Sequence, residues 1–352
     1  KGVCIWGEIE LAYRVGKGDV LAITGTNGKT TTTALLGEIM KAWKGSVYVV
    51  GNIGTAYTSI ADKTTDNTII VAEISSFQLE TIEEFCPKVS AILNITPDHL
   101  DRHHTMQSYI EAKETIAKNQ NGKDVCVLNY EDAETRSFSE KTKAVVLFFS
   151  SQRKLDRGVY LENDVITYAE EGKRVEICHV DELKLLGVHN YENVMAAVGM
   201  AIAYHVPVEI IRQSVKRFGG VEHRIEYVCE KNGVVYYNDS KGTNPDAAIK
   251  AISAMNRPTY LIGGGYDKDA SYEEWIQSFE GKVRKLVLIG QTKEKIAETA
   301  KLCGFNDTIL ADSSKQAKDG EAVLLSPACA SWGMFKNYEE RGDKFKELVN
   351  AL

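Results

Sequence analysis

The sequence predicts an α/β protein in two parts, a domain built on a mainly parallel sheet and a smaller Rossmann-like α/β domain after it. Short apolar runs alternate with amphipathic runs along most of the chain, the pattern of parallel strands joined by covering helices. The alternation breaks at Phe218-Gly219-Gly220 and then resumes, which sets domains over 1–220 and 221–352. A chain of 352 residues is long enough for two ordinary cores.

The first strand is Val20-Leu21-Ala22-Ile23, followed by Thr24-Gly25-Thr26-Asn27-Gly28-Lys29-Thr30-Thr31 and then Leu35, Leu36, Ile39, Met40 and Trp43 at helical spacing. A glycine turn between strand and helix gathers backbone N–H groups around an anion at a helix N-terminus. Lys29 adds a charge that reaches β- and γ-phosphates, and Thr30 or Thr31 offers a hydroxyl to Mg²⁺. The standard phosphate loop has Gly five residues before its second Gly, where this chain has Ile23, so the loop is a compact variant. The alternative, a turn whose glycines serve backbone geometry alone, fits less well with Lys-Thr-Thr opening a helix. The first domain is therefore expected to be a P-loop-type ATP-binding domain.

Strands are expected at 46–50, 68–73, 89–95, 125–129 and 144–149, a helix at 106–119, and an antiparallel addition between 159 and 180 around Glu170-Glu171-Gly172. Helices at 192–204 and 209–218 close the first domain. In the second, 234–237 leads through a polar loop to a helix opened by Pro245 and capped by Asn244. Strands follow at 259–262, 286–289, 308–310 and 322–325. No internal repeat or low-complexity tract is visible.

Composition narrows the functional class. A net charge of −7 argues against a nucleic-acid binder. Seven scattered cysteines with no CxxC pair read as reduced thiols in a cytoplasmic protein and make cysteine ligation of a metal a poor reading. No apolar run is as long as a membrane span. The chain opens on Lys1-Gly2-Val3-Cys4 without Met, so a processed or truncated N-terminus is expected.

In open α/β sheets ligands lie beyond the carboxyl ends of the strands, which makes the polar strand ends the candidates. Glu73 closes an apolar strand and suits a metal-binding acid, the alternative being a solvated strand end. Asn94-Ile95-Thr96-Pro97-Asp98-His99-Leu100-Asp101 is a second such cluster, in which His99 is open between surface histidine and ligand. His103 and His104 read as solvated loop residues. Lys113 reads as a solvated lysine near Glu111 and Glu114, not to be chosen over Lys118, and Asn190 as a helix cap or a ligand contact. In the second domain, Arg224 could clamp a nucleotide phosphate. Asp239-Ser240-Lys241-Gly242-Thr243-Asn244 suits a ribose or an anionic substrate, and Gly263-Gly264-Gly265-Tyr266-Asp267-Lys268 an anion.

Together, residues 25–31, Gly51-Asn52-Ile53-Gly54, Glu73-Ile74-Ser75-Ser76-Phe77-Gln78-Leu79-Glu80, Asp98-His99-Leu100-Asp101, His189-Asn190-Tyr191-Glu192-Asn193, His223-Arg224 and Asn238-Asp239-Ser240-Lys241 resemble the Mur ligases of peptidoglycan synthesis. Within that family, Ser75–Glu80, Leu325-Ser326-Pro327-Ala328-Cys329-Ala330-Ser331 and Gly7-Glu8-Ile9-Glu10-Leu11-Ala12 look like the member that adds D-glutamate. The resemblance implies an ATP-dependent ligase. Such an enzyme phosphorylates the carboxylate of UDP-N-acetylmuramoyl-L-alanine and lets the D-glutamate amine displace phosphate.

Carried over residue by residue, it implies that Gly25, Thr26, Asn27, Gly28 and Lys29 cradle the phosphates, with Mg²⁺ at Thr30, Thr31, Glu73, His99 and a carbamylated Lys113. Lys29, Glu73, His99 and Lys113 would be catalytic. Asn190 and Asn193 would face adenine, and Arg224, Asp239 and Lys241 would reach ATP from the second domain. Asn52 would contact the muramoyl substrate or nucleotide region. Thr243, Lys268, Ser331, Trp332 and Tyr338 would hold D-glutamate, the last-named two standing where some members have Leu and Phe. The family carries a further N-terminal UDP-gripping domain, and this chain starts where that domain should end. A monomer, with no nucleic-acid or membrane partner, is expected. The alternatives are another Mur-type or a folylpolyglutamate-type ligase, or an ATP-binding fragment without catalysis.

Overall fold

A computed structural model describes residues 5–268, 270–310 and 317–352; Cys4 lies outside them. The chain divides into two units, the first running to Leu183 and taking Val188–Phe218, the second comprising Lys184–Gly187 and Gly219–Leu352.

In the first unit, β1 (Asp19–Thr24) lies between β3 (Ile69–Glu73) and β4 (Val89–Ile92) and is parallel to both. β2 (Val47–Gly51) flanks β3, while β5 (Val125–Asn129), β6 (Val145–Ser150) and β7 (Gly158–Glu162) continue the parallel array beyond β4. Every residue of β3 and β4 is buried, as a parallel strand covered on both faces requires. β8 (Val165–Glu170) and β9 (Lys173–His179) turn antiparallel. Their hairpins close at Asn163-Asp164 and Glu171-Gly172, all four with positive φ, the geometry of two-residue turns between twisted strands.

The helices of this unit are α1 (Glu8–Val15), α2 (Lys29–Trp43), α3 (Ser76–Leu79), α4 (Leu100–His103), α5 (Met106–Glu114), α6 (Ala133–Phe138), α7 (Val188–Ala203) and α8 (Val208–Arg217). α2 buries Leu35, Leu36, Ile39 and Met40 of the stripe read from the sequence, while Trp43, at its C-terminal end, is only half-buried. α5 is shorter than the expected 106–119: it passes at Thr115–Ala117 into a 3₁₀ turn, where Thr115 Oγ1 bonds back to the Ala112 carbonyl at 2.7 Å. Glu10 ties α1 to the chain. Its buried carboxylate accepts from the backbone N–H groups of Glu83, Glu84 and Phe85 at 2.9–3.1 Å. Burial works to raise its pKa, but these bonds and Arg14 outweigh it and hold the carboxyl below its usual value.

In the second unit the strands run β10 (Glu226–Lys231), β11 (Val234–Asn238), β12 (Thr259–Gly263), β13 (Val283–Leu288), β14 (Thr308–Leu310) and β15 (Ala322–Leu325), in the sheet order β10-β11-β15-β12-β13-β14. Among the described strands of this sheet, only the β10–β11 pair is antiparallel. Around this sheet lie α9 (Pro245–Ala254), α10 (Glu273–Gln277), α11 (Lys293–Leu302) and α12 (Tyr338–Asn350). Asn244 caps α9 by accepting from the Ala247 N–H at 2.9 Å, with Pro245 in the first turn. Trp275, Leu261, Leu286 and Leu324 centre its core.

Candidate active site

β1 ends where the glycine turn begins, and Gly28, at φ 85, N-caps α2 with no side-chain cap bond. The first-turn N–H groups of a helix have no carbonyl of their own to pair with, so a 15-residue helix begins here on an open positive end. Gly28 is required twice over, by its left-handed backbone and by space: a Cβ there would lie 2.1 Å from Asn193 Oδ1. Asn193, which stands against the turn from α7, donates through Nδ2 to Asn190 Oδ1 at 3.3 Å. Asn190 is the third residue of that helix and is buried, so it is not the cap the sequence allowed.

Lys29 Nζ folds back on the turn, donating to the carbonyls of Gly25 and Thr26 at 2.8 and 2.9 Å. Lys113 Nζ, from α5, donates to the same Gly25 carbonyl at 2.8 Å and lies 4.5 Å from the centre of the Tyr109 ring. The reading of Lys113 as a solvated lysine is overturned: it is 1% exposed. Burial, together with the positive charge of Lys29, lowers its pKa to about 7, against 10.5 for a free lysine.

Glu73 ends β3 beside Ile23 of β1 and Gly51 of β2. It is 1% exposed rather than solvated; one carboxylate oxygen accepts from Asn52 Nδ2 at 2.8 Å, and the other is buried with no hydrogen-bond partner. A buried carboxylate oxygen without a donor is costly and fits a site that a cation completes. Thr31 is buried and Thr30 half-buried in the same first turn of α2.

His99 stands at φ 52 before α4 with its side chain half exposed, 3.6 Å from Asp98 and against Phe77. His103, expected in solvent, is buried instead: its Nε2 is 2.9 Å from Ser76 Oγ, and its ring stacks on Phe77. Burial holds its pKa below the usual histidine value, against the pull of Glu80. His104 is exposed. Sequence reasoning also missed Tyr109, whose hydroxyl is 3.2 Å from Thr26 Oγ1; one helical turn before Lys113, it shows only as an apolar position of α5.

The second unit gathers its own cluster. Asp239 is buried; Ser326 Oγ donates to it at 2.7 Å and the Ile225 N–H at 3.2 Å. Burial nonetheless raises its pKa to about 7. Lys241 lies 5.5 Å over the Tyr338 ring, and Lys268 lies 5.1 Å over Trp332, which is exposed. Ser331 is buried, whereas Arg224 is exposed and Thr243 half-buried.

Arg341, which the sequence reading passed over, joins these loops. It is buried and donates to Ser240 Oγ, to the Ser240 carbonyl and to the Cys329 carbonyl at 2.7–3.0 Å. The only sequence signal for it is Gly342 beside it in α12, where a Cβ would lie 2.2 Å from His223 Nδ1.

The Mur ligase middle domain matches residues 23–201, and the Mur ligase glutamate ligase domain matches residues 223–329. The chain belongs to the Mur ligase family. The Mur ligase relatives include a protein of Lachnoclostridium phytofermentans, 60% identical over 356 residues that cover 99% of this chain and 78% of the relative. One from Lachnospira eligens is 56% identical, over 100% of this chain and 80% of the relative. Both are named UDP-N-acetylmuramoylalanine–D-glutamate ligase. The Mur fold is seen in solved structures at lower identity. UDP-N-acetylmuramate–alanine ligase MurC of Thermotoga maritima superposes with a TM-score of 0.68 at 18% identity, over 97% of this chain and 78% of its own. MurF of Thermotoga maritima, in complex with ADP, gives 0.64 at 19%, over 97% and 83%.

Proposed function

We propose that this Mur ligase joins D-glutamate to UDP-N-acetylmuramoyl-L-alanine at the expense of ATP, in peptidoglycan synthesis. The observation that carries the reading is the glycine turn, with an uncapped α2, Lys29 on its carbonyls and Glu73 beside it with a buried, unpartnered oxygen. The two relatives at 56–60% identity supply the amino acid by their names.

A carboxylate is a poor electrophile. An oxygen of the UDP-linked substrate's carboxylate attacks the γ-phosphorus and ADP leaves, giving an acyl phosphate. The D-glutamate amine then attacks the acyl carbon, and phosphate departs as the amine sheds a proton. Lys29 and the first turn of α2 hold the phosphates and counter their charge. Thr30, Thr31, Glu73, His99 and Lys113 would hold Mg²⁺, which when bound neutralises charge on the transferring phosphoryl group.

Lys113 is the proposed site of carbamylation. Its amine adds to CO₂, forming an N–C bond and releasing a proton, and a buried amine with a pKa of about 7 holds the unprotonated form this needs. Asn190 and Asn193 are proposed to face adenine, and Asn52 the muramoyl substrate or the nucleotide region. Arg224, Asp239 and Lys241 are proposed as further ATP contacts, while Thr243, Lys268, Ser331, Trp332 and Tyr338 would hold D-glutamate. The two units are proposed as functional domains, acting as a monomer in the cytoplasm. The six cysteines among the described residues are free, which fits that compartment, and no helix among the described residues is long and apolar enough to cross a membrane.

The test is phosphate release from ATP with UDP-N-acetylmuramoyl-L-alanine and a panel of amino acids. Release is expected with D-glutamate and not with L-glutamate, L-lysine or diaminopimelate; release with another member of the panel and not D-glutamate would overturn the assignment.

A further inference from the structure

Two residues, Thr26 and Asn27, separate Gly25 from Gly28, where the standard phosphate loop has four between its glycines. A loop this short has little backbone with which to close on itself, and the structure closes it from outside. Asn94, just beyond β4, accepts at its Oδ1 from the Asn27 N–H at 2.8 Å and donates through its Nδ2 to the Asn27 carbonyl at 3.2 Å. The Asn94 carbonyl accepts from the Thr26 N–H at 2.9 Å. Thr26 Oγ1 in turn accepts from the Thr96 N–H at 3.0 Å.

One carboxamide thus satisfies both backbone groups of Asn27, as a strand rung would. Asp has no donor for this, and Ser or Thr offers one atom in place of two.

We propose that Asn94 is a positioning residue for the triphosphate, supplying from the neighbouring strand the closure that a longer loop makes within itself. The inference rests on the reading of this turn as the ATP seat. With the Thr26 and Asn27 N–H groups engaged by Asn94, phosphate binding falls to the donors further along, where the Thr30 and Thr31 N–H groups have no acceptor within α2. The same stitching makes the loop and the 94–96 segment leading to His99 one hydrogen-bonded piece, so nucleotide binding and the placement of His99 are linked through Asn94.

The test compares wild type, Asn94→Ala and Asn94→Asp by competition binding of Mg·ADP and of adenosine, with unfolding midpoints measured without nucleotide. Asn94→Ala is expected to weaken Mg·ADP by about tenfold or more and to leave adenosine unchanged. Asn94→Asp, equal in size, loses the donor and adds negative charge, and is expected to weaken Mg·ADP further. A folded variant that binds Mg·ADP within about twofold of wild type would overturn the proposal. So would equal losses for ADP and adenosine, the mark of general loosening. Should Asn94→Ala fail to fold, Asn94→Asp decides. Wild type that binds no Mg·ADP would instead sink the ATP-ligase reading itself.

Discussion

Lys29 and Lys113 donate to one carbonyl oxygen, that of Gly25, each at 2.8 Å. Two amines brought to a single acceptor repel when both are charged, and the buried one yields its proton first. The folded-state pKa of Lys113, about 7, lies below its 10.5 in the unfolded chain. Between those values the unfolded chain binds more protons, so stability rises with pH across that window. Below about pH 7 both states are protonated and the penalty is complete; above about 10.5 it is gone. Lys113→Met, similar in bulk and uncharged, is therefore expected to be more stable than wild type by a few kcal/mol near pH 6.5, with the gap closing toward pH 10. Urea unfolding of both proteins in CO₂-free buffer at several pH values checks this. A gap constant with pH would contradict it.

Glu73 presents a different trade. Glu73→Gln keeps an acceptor for Asn52 and removes a buried charge with an unpartnered oxygen. The variant is expected to gain about 1–3 kcal/mol of stability without ligand. ATP turnover should fall by about a hundredfold or more as the proposed metal ligand is lost. Thermal unfolding beside phosphate release measures both; a variant less stable and fully active would refute the assignment.

The contact between Gly28 and Asn193 predicts a non-additive pair. Gly28→Ala forces a Cβ to within 2.1 Å of Asn193 Oδ1 at a φ of 85. It should cost about 1–3 kcal/mol from the backbone alone, and more from the clash. Asn193→Ala removes the clash but not the backbone strain. The double variant is thus expected to be less destabilised than the sum of the single ones, by about 1 kcal/mol or more in a double-mutant cycle. Strict additivity would place the two residues out of contact.

Arg341 holds three oxygens on two loops with a fork that lysine lacks. Arg341→Lys is expected to destabilise the second unit by about 2–4 kcal/mol and to raise KM for D-glutamate. Denaturant unfolding followed by Trp275 and Trp332 fluorescence, with steady-state kinetics, checks both parts. An unchanged unfolding curve would show that the fork is dispensable.

Most of the strands and the phosphate turn were legible because each announces itself locally: an apolar run, a glycine turn, a helix-periodic stripe. Glu73 was legible as the acid at a strand end. His103 and Arg341 were not, and Lys113 only through the family resemblance, because a buried lysine, histidine or arginine on a helix shares its sequence surroundings with a solvated one. Tertiary contacts from Gly25, Ser76 and Ser240 decide the difference. α6, α11, α12 and β10 were missed for a related reason: they are charged or short, and β10, an edge strand, is fixed by its pairing with β11 rather than by an apolar run. Asn94 was visible only as part of a polar cluster, since its partner lies 67 residues away in sequence.

The most direct measurement of the whole account uses UDP-N-acetylmuramoyl-L-alanine labelled with ¹⁸O in both carboxylate oxygens, incubated with ATP, Mg²⁺ and D-glutamate. Attack of that carboxylate on the γ-phosphoryl group predicts one ¹⁸O in the released phosphate and the other in the new amide. Unlabelled phosphate, or labelled phosphate formed with no amide product, would contradict it.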